Sequence, residues 1–332
     1  MRLKRWQSWT LRLIGTAALI VGVFWFIPLS EVINVLEGVK PGYLAGGFAV
    51  FLLGSYLQAF QLWLLLKRQG MPQGPWEIFE VNMITRFYGQ FLPSELMAGA
   101  VKLYRLAGPK KQWGEVVAAL AFFRLVNLLA LVLLGIVFWA IDMPSGPGRW
   151  VGLLMIGMAA ALVAMHLVLA SPGAGGMVKR LLPARGLSWL QGKLLEKGRT
   201  LMRATVQSYQ LFGDLVMTIS ALAVLRHALG ILSFSLFALS LDVHLSLLTI
   251  GWIRVVLQVL LMLPISLSGI GVREGSLVIL LQEYGVTSSQ AVALAFLLFA
   301  SVLVGNSLGG LFELKNVLRS DRRGLTVRSG VE

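Results

Sequence analysis

The sequence predicts an all-α integral membrane protein, a polytopic bundle with two inverted repeats, each containing a re-entrant helical hairpin. Three observations predict it. Of 332 residues, 57% are hydrophobic and only 13% charged, with mean hydropathy +0.79, the balance of a polytopic membrane protein. Basic residues cluster in alternate loops between apolar runs, the bias that orients membrane spans. Two apolar regions, one in each half, are interrupted by proline and glycine, the pattern of paired broken helices in transporters.

In chain order, Arg2, Lys4, Arg5 and Arg12 precede an apolar run from Leu13 to Leu29, read as a retained first span because no small-residue cleavage site follows it. A short loop with Glu31, Glu37 and Lys40 leads to a second span, Tyr43 to Leu66, closed by Lys67 and Arg68. From Trp76 to Gln90, Asn82, Arg86 and Gln90 recur every four residues and place one polar stripe on an apolar helix. Spans follow at Glu115–Ile141, with Arg124 and Asn127 inside it, and at Trp150–Ala170. Lys179 to Arg203 is basic with a partial apolar face, the composition of an amphipathic helix on the cytoplasmic leaflet. Leu215–Leu241 is the next span, carrying Arg226 and His227; Ser246–Leu263 leads into the second interruption, and Ala291–Phe312 is the last span. The organisation expected is a first repeat over 1–175 with its hairpin near 76–107 and an amphipathic linker over 176–213. A second repeat over 214–313 has its hairpin near 246–284, and 314–332 form a basic cytoplasmic tail. With the N-terminus inside, the basic clusters fall on one side and the two hairpins enter from opposite faces.

The second interruption, LPISLSGIGVREGSLVIL from Leu263 to Leu280, holds Pro264, Gly269, Gly271, Gly275 and the pair Arg273–Glu274. A break at membrane depth is tolerable only where it is buried in protein or lines a wet cavity. Arg273 falls in the first turn of the helix that restarts, where free N–H groups and a guanidinium suit an anion such as a phosphate. The first half holds an echo, LPSELMAGAVKLYRL from Leu92 to Leu106; aligning Pro93 with Pro264 aligns Val101 with Val272 and Lys102 with Arg273. Pro93, Gly99, Pro264, Gly269 and Gly271 are the expected break residues.

Arg86, Arg124, Arg226, Arg254 and Arg273 all lie within apolar stretches, where charge is costly and marks function. Glu80, Glu95, Glu274 and Glu283 are too few to neutralise them. The candidate binding residues for an anionic head group are Arg273, Glu274, Lys102, Arg86, Arg254, Arg124, Gln258, Gln90 and Glu95. Arg226 is left between structural and functional readings. The absence of Cys and the wide separation of His166, His227 and His244 argue against thiolate or zinc sites, and no cofactor is expected. Gly269-x-Gly271-x-x-x-Gly275 lacks the spacing and the preceding strand of a dinucleotide fingerprint. The net charge of +14 fits anionic lipid rather than nucleic acid, because no folded soluble module accompanies it. Glu95 and Glu274 are the carboxylates available for acid/base work, but neither has a nucleophile or metal-binding neighbour, and no catalytic residue is assigned.

Pro264, Gly269, Gly271, Val272, Arg273 and Glu274 match a late signature of Pro followed by Gly-x-Gly-Val-Arg-Glu. Through it the chain resembles the lysylphosphatidylglycerol synthase transmembrane (flippase) domain family, which includes the membrane half of the multiple peptide resistance factor. Leu92, Pro93, Gly99, Lys102 and Arg105 match the first-half signature loosely, with Ser94-Glu95-Leu96-Met97 in place of a glycine-rich run. The resemblance implies lipid translocation, or service to a separately encoded lipid enzyme; with the charge distribution, the reading is of a bacterial inner-membrane protein with both termini cytoplasmic that translocates or binds an anionic phospholipid. A short tail follows the last span, so no aminoacyltransferase domain is expected. Two further readings stay open: a glycosyltransferase or accessory subunit acting on a polyprenyl-phosphate lipid, and a scaffold for a separately encoded lipid-modifying enzyme. A homo-oligomer is compatible with all three.

Overall fold

The computed structural model describes residues 28–91, 95–108, 112–144, 146–170, 206, 209, 211–262, 266 and 269–328. Every element among them is helical: α1 (Leu29–Glu37), α2 (Pro41–Arg68), α3 (Pro75–Phe91), α4 (Glu95–Ala107), α5 (Trp113–Asp142), α6 (Gly146–Ala170), α7 (Val216–Ser240), α8 (Leu247–Met262), α9 (Val272–Leu281) and α10 (Ser288–Arg328). Short 3-10 turns stand at Gly213–Leu215 and Gln282–Tyr284. Among the described residues five stretches are long and apolar enough to cross a membrane: Pro41–Arg68, Trp113–Asp142, Gly148–Leu169, Gly213–Ser240 and Ser288–Leu318. Only 22% of the apolar window in Gly148–Leu169 is buried in protein, so α6 offers most of its surface to lipid. The first span expected over 13–29 and most of the linker expected over 176–213 lie outside the described residues, as do Pro93 and Pro264.

The helices α3, α4, α8 and α9 have 17, 13, 16 and 10 residues. At about 1.5 Å per residue none reaches the roughly 30 Å of a bilayer's hydrocarbon core. They pack as two pairs, α3 on α4 and α8 on α9, at the places where the sequence predicts hairpins. In the second pair Gly269 and Gly271 have φ of +76° and +84°, conformations that a side chain resists, and they turn the chain into α9.

The packing is preserved when the halves are exchanged, with α1 to α5 replaced by α6 to α10 in order. The pair α3–α10 becomes α8–α5; α2–α3 becomes α7–α8; α4–α5 becomes α9–α10; α2–α5 becomes α7–α10; and α1–α10 becomes α6–α5, all of them pairs in contact. The helices α2 and α7, which exchange with each other, pack together along their lengths. Small residues let the exchanged pairs approach closely: a methyl on Gly309 of α10 would meet the Met83 backbone of α3, and one on Gly135 of α5 would meet Val255 of α8.

Two expectations need correction. Residues 29–37 form a helix rather than a loop; Val32 is buried and Val35 and Leu36 pack on the same core, so the acidic residues mark the helix's polar side. Gly99 lies inside α4 rather than in a break, flanked by the good helix formers Ala98 and Ala100. The helix α10 continues through the basic stretch as far as Arg328.

Polar clasps join each short pair to the long helix of the other half. Arg105 of α4 donates to Glu313 of α10 at 2.6 Å, and Tyr88 of α3 donates to the same carboxylate at 2.8 Å. Lys315 donates to Glu80 at 3.1 Å beside them. In the counterpart clasp the carboxylate is Asp142 of α5, which accepts from Thr249 at 3.0 Å, Trp252 at 2.8 Å and Tyr284 at 2.8 Å. Burial, then the bond to Asp142, pushes the Tyr284 phenol up to about 12, so it remains a donor across the working pH range.

Candidate functional site

Cations from both halves lie within reach of one another's charge. Arg86 of α3 donates to Ser55 Oγ of α2 at 3.0 Å and to Gln58 Oε1 on the same helix. The charges of Arg86 and Arg124 both reach Lys102 of α4. On the other side, the charges of Arg254 and Arg86 reach Arg226 of α7. Arg226 Nε donates to Asn127 Oδ1 of α5 at 3.1 Å, and its Nη2 lies 2.9 Å from His227 Nε2. Arg86, Lys102, Arg226 and Arg254 are half-buried, and Arg124 is exposed.

Among the described residues none of these cations has a carboxylate partner. The ion pairs are elsewhere: Lys40–Asp242, Arg68–Asp214, Arg105–Glu313, His244–Asp242 and Lys315–Glu80. Like charges gathered in a low-dielectric interior repel, and the arrangement is favourable when an anion joins it. Arg254 Nη1 is buried and without a hydrogen-bond partner, a guanidinium donor left for a ligand. Its guanidinium crosses α7 over Gly230, where a methyl would stand 2.1 Å from Nη2. That glycine, one turn beyond Arg226, is what lets a cation from α8 enter the group.

The remaining candidates are distributed differently. Arg273 is 7% exposed and lies over the Phe299 ring of α10, 5.1 Å from its centroid. Among the described residues the charge that acts on it is that of Glu274. Glu274 Oε2 accepts from the Gly271 N–H at 2.6 Å and so caps the start of α9. Gln90 donates to the Leu303 carbonyl of α10 at 3.2 Å, and Gln258, one turn after Arg254, is half-buried. Asn82, the first residue of the polar stripe, is buried with neither amide atom bonded. The stripe thus divides, Arg86 toward α2 and Gln90 toward α10. The Glu95 side chain is outside the described ones. Sequence reasoning did not assign Ser55, Gln58, Asn127 or His227 to the site; the Arg226–His227 pair followed by Gly230 in one span was the available signal. Among the described residues there is no group of three acidic or histidine side chains suited to a metal ion.

The sequence profile of the lysylphosphatidylglycerol synthase TM region matches residues 12–310. The chain belongs to that family. It is thereby a multi-pass membrane protein with a lipid-related function, and the matched region contains every helix from α1 to α9 and most of α10. No curated protein and no solved structure matches the chain.

Proposed function

We propose that this member of the family translocates an anionic phospholipid, or a lipid of the same phosphate chemistry, across the bacterial inner membrane. Its phosphate binds among Lys102, Arg86, Arg124, Arg226 and Arg254. The observation that carries the reading is that cations on α3, α4, α5, α7 and α8 lie within reach of one another's charge and, among the described residues, form no ion pair with a carboxylate. A phosphate entering the recess relieves their repulsion, while Asn127, Ser55 and Gln58 hold two of the guanidinium groups in place. The acyl chains stay in lipid as the head group passes. Arg273 and Glu274 shape the second break: Glu274 by capping α9, Arg273 by packing against α10. The exchangeable packing of the two halves supports inverted repeats, in which rocking of one half against the other exposes the recess to alternate sides. Both termini then lie in the cytoplasm.

The test is lipid exchange in proteoliposomes containing fluorescent phosphatidylglycerol, phosphatidylcholine or a polyprenyl phosphate. Wild-type protein should accelerate exchange of the phosphate lipids that lack a compensating cation. Lys102→Gln with Arg254→Gln should remove that acceleration while helicity is kept. Folded wild-type protein that exchanges none of the three lipids refutes autonomous translocation. Exchange that survives the double substitution refutes the recess as the head-group site.

A further inference from the structure

Arg226 is held along one edge of its guanidinium and left open along the other. Its Nε donates to Asn127 Oδ1 at 3.1 Å, and its Nη2 lies 2.9 Å from His227 Nε2. The Nε–H and one Nη2–H point the same way from the planar group, so these two acceptors take up its side edge together. The other edge, formed by Nη1 and the remaining Nη2–H, keeps the fork that matches two oxygens of one phosphate. Among the described residues Nη1 has no hydrogen-bond partner, and unlike Nη1 of Arg254 it is not enclosed by protein.

This arrangement requires one form of His227. A guanidinium can only donate, so Nε2 presents its lone pair to Arg226 and the proton of the neutral ring sits on Nδ1. A doubly protonated ring would set two cationic donors against each other at 2.9 Å. The other neutral form, with the proton on Nε2, would donate to the Asn127 carbonyl at 3.1 Å and turn an N–H toward Arg226. One nitrogen cannot serve both, and the bond with the charged donor is the stronger. The carbonyl is not left bare, because Asn127 lies inside α5, where the N–H one turn later bonds to it.

His227 is 1% exposed and its Nδ1 has no partner, so Arg226 and Asn127 account for the polar contacts the ring makes. A packing role alone would favour leucine here, which buries no polar atom. The neutrality of the acceptor also matters. A carboxylate in its place would fix the guanidinium equally well but cancel its charge, whereas imidazole and the Asn127 amide orient it and leave the charge for a ligand. The charges of Arg254 and Arg86 add to that field.

We infer that His227 is a positioning residue of the head-group site: as the Nδ1–H tautomer it accepts from Arg226 and, with Asn127, directs the open Nη1–Nη2 edge of that guanidinium at the phosphate. It touches no ligand itself. The inference rests on the reading of these cations as a phosphate site, while the tautomer and the hold on Arg226 stand on the geometry alone.

The tautomer is read by solid-state nitrogen NMR of the full chain, carrying isotope-labelled histidine, in phosphatidylcholine bilayers. Signals missing from the His227→Gln spectrum identify His227. The expected ring has its proton on Nδ1 and a bare Nε2; a proton on Nε2, or on both nitrogens, overturns the inference whatever the variants do. Native mass spectrometry of phosphatidylglycerol- and phosphatidylcholine-bound states then reads the consequence. His227→Gln keeps an acceptor and should bind phosphatidylglycerol within about twofold of wild type. His227→Leu lacks one and should bind it about fivefold more weakly, with phosphatidylcholine unchanged. His227→Glu holds Arg226 but neutralises it and should lose at least as much; wild-type affinity there overturns the need for a neutral acceptor. Because His227 acts through Arg226, adding His227→Leu to Arg226→Gln should weaken binding no further, and additive losses overturn the positioning role. Wild-type affinity in His227→Leu beside a large loss in Arg226→Gln also overturns it, while the head-group reading stands. A wild type that shows no preference for phosphatidylglycerol over phosphatidylcholine overturns both.

Discussion

Gly230→Ala separates the stability of α7 from the electrostatics of the recess. A methyl at this position would stand 2.1 Å from Arg254 Nη2 and 2.4 Å from Cζ. Ordinary contact needs about 3.5 Å, so the guanidinium must withdraw by about 1.4 Å. It is the far end of a flexible side chain and can do so without moving the backbone. For a phosphate held about 4 Å from that guanidinium, attraction at an effective dielectric of about 20 falls from about 4 to about 3 kcal/mol. The difference of about 1 kcal/mol is about fivefold in affinity. Alanine in place of glycine inside a helix meanwhile favours the fold by up to about 1 kcal/mol. The expected outcome is a protein of equal or higher thermal stability with about fivefold weaker binding of phosphatidylglycerol and unchanged handling of phosphatidylcholine. Native mass spectrometry of lipid-bound states, paired with thermal unfolding in detergent, measures both. Unchanged phosphatidylglycerol affinity in Gly230→Ala alongside a large loss in Arg254→Gln would show that the guanidinium does not reach its ligand across α7. Equal losses for both lipids would show a packing defect instead.

Two predictions concern the outer parts of the molecule. Asp142→Ala strands the Thr249, Trp252 and Tyr284 donors and should destabilise the protein by about 3 kcal/mol, against about 1 kcal/mol for Asp142→Asn, which keeps an acceptor for Trp252 and Tyr284; unfolding midpoints that rank the two variants the other way would remove this clasp from the account. The hydrogen bond from Lys40, and then its charge, hold the exposed Asp242 carboxyl below its usual value. A depressed carboxyl contributes stability that is complete above the ordinary value, about 3.9, and is lost as pH falls through its folded value. The unfolding midpoints of wild type and Asp242→Asn should therefore differ slightly from pH 7 down to about 5 and converge only in stronger acid; midpoints that already coincide at pH 7 and 5 would contradict the pairing.

The spans were legible because a bilayer demands long apolar runs whatever the tertiary contacts, and α2, α5, α6, α7 and α10 lie where the sequence placed them. The short helices α3, α4, α8 and α9 were legible for the complementary reason: proline, glycine and charge are unfavourable in a lipid-exposed helix. Which way a solitary cation points was not legible. Arg226 and Arg273 are alike in sequence, each an arginine within an apolar stretch, yet one lies within reach of the charges of Arg254 and Arg86 and the other lies against Phe299. That difference depends on how α7 and α9 rotate about their axes, which packing against α5 and α10 settles and local composition does not. The role of Gly230 was hidden similarly, because a helical glycine declares nothing until a side chain from another helix is found above it. The N-terminal acidic residues misled for a simpler reason. Glu31 accepts a hydrogen bond from Ser289 on α10 rather than marking a loop.

The exchangeable packing carries a consequence for direction. On the proposed inverted-repeat reading, a bundle whose neighbours are conserved under exchange of its halves has no built-in up or down, and polarity enters through residues that break the equivalence. The largest such departure described is at the ends. One carboxylate, Glu313, is bound by a cation, and its counterpart, Asp142, by neutral donors alone. An ionic fastening weakens as salt screens it, whereas one made by hydroxyl and indole donors scarcely responds. The two clasps are thus distinguishable by ionic strength, and on the proposed translocation reading the medium on each side of the membrane biases which face opens more readily.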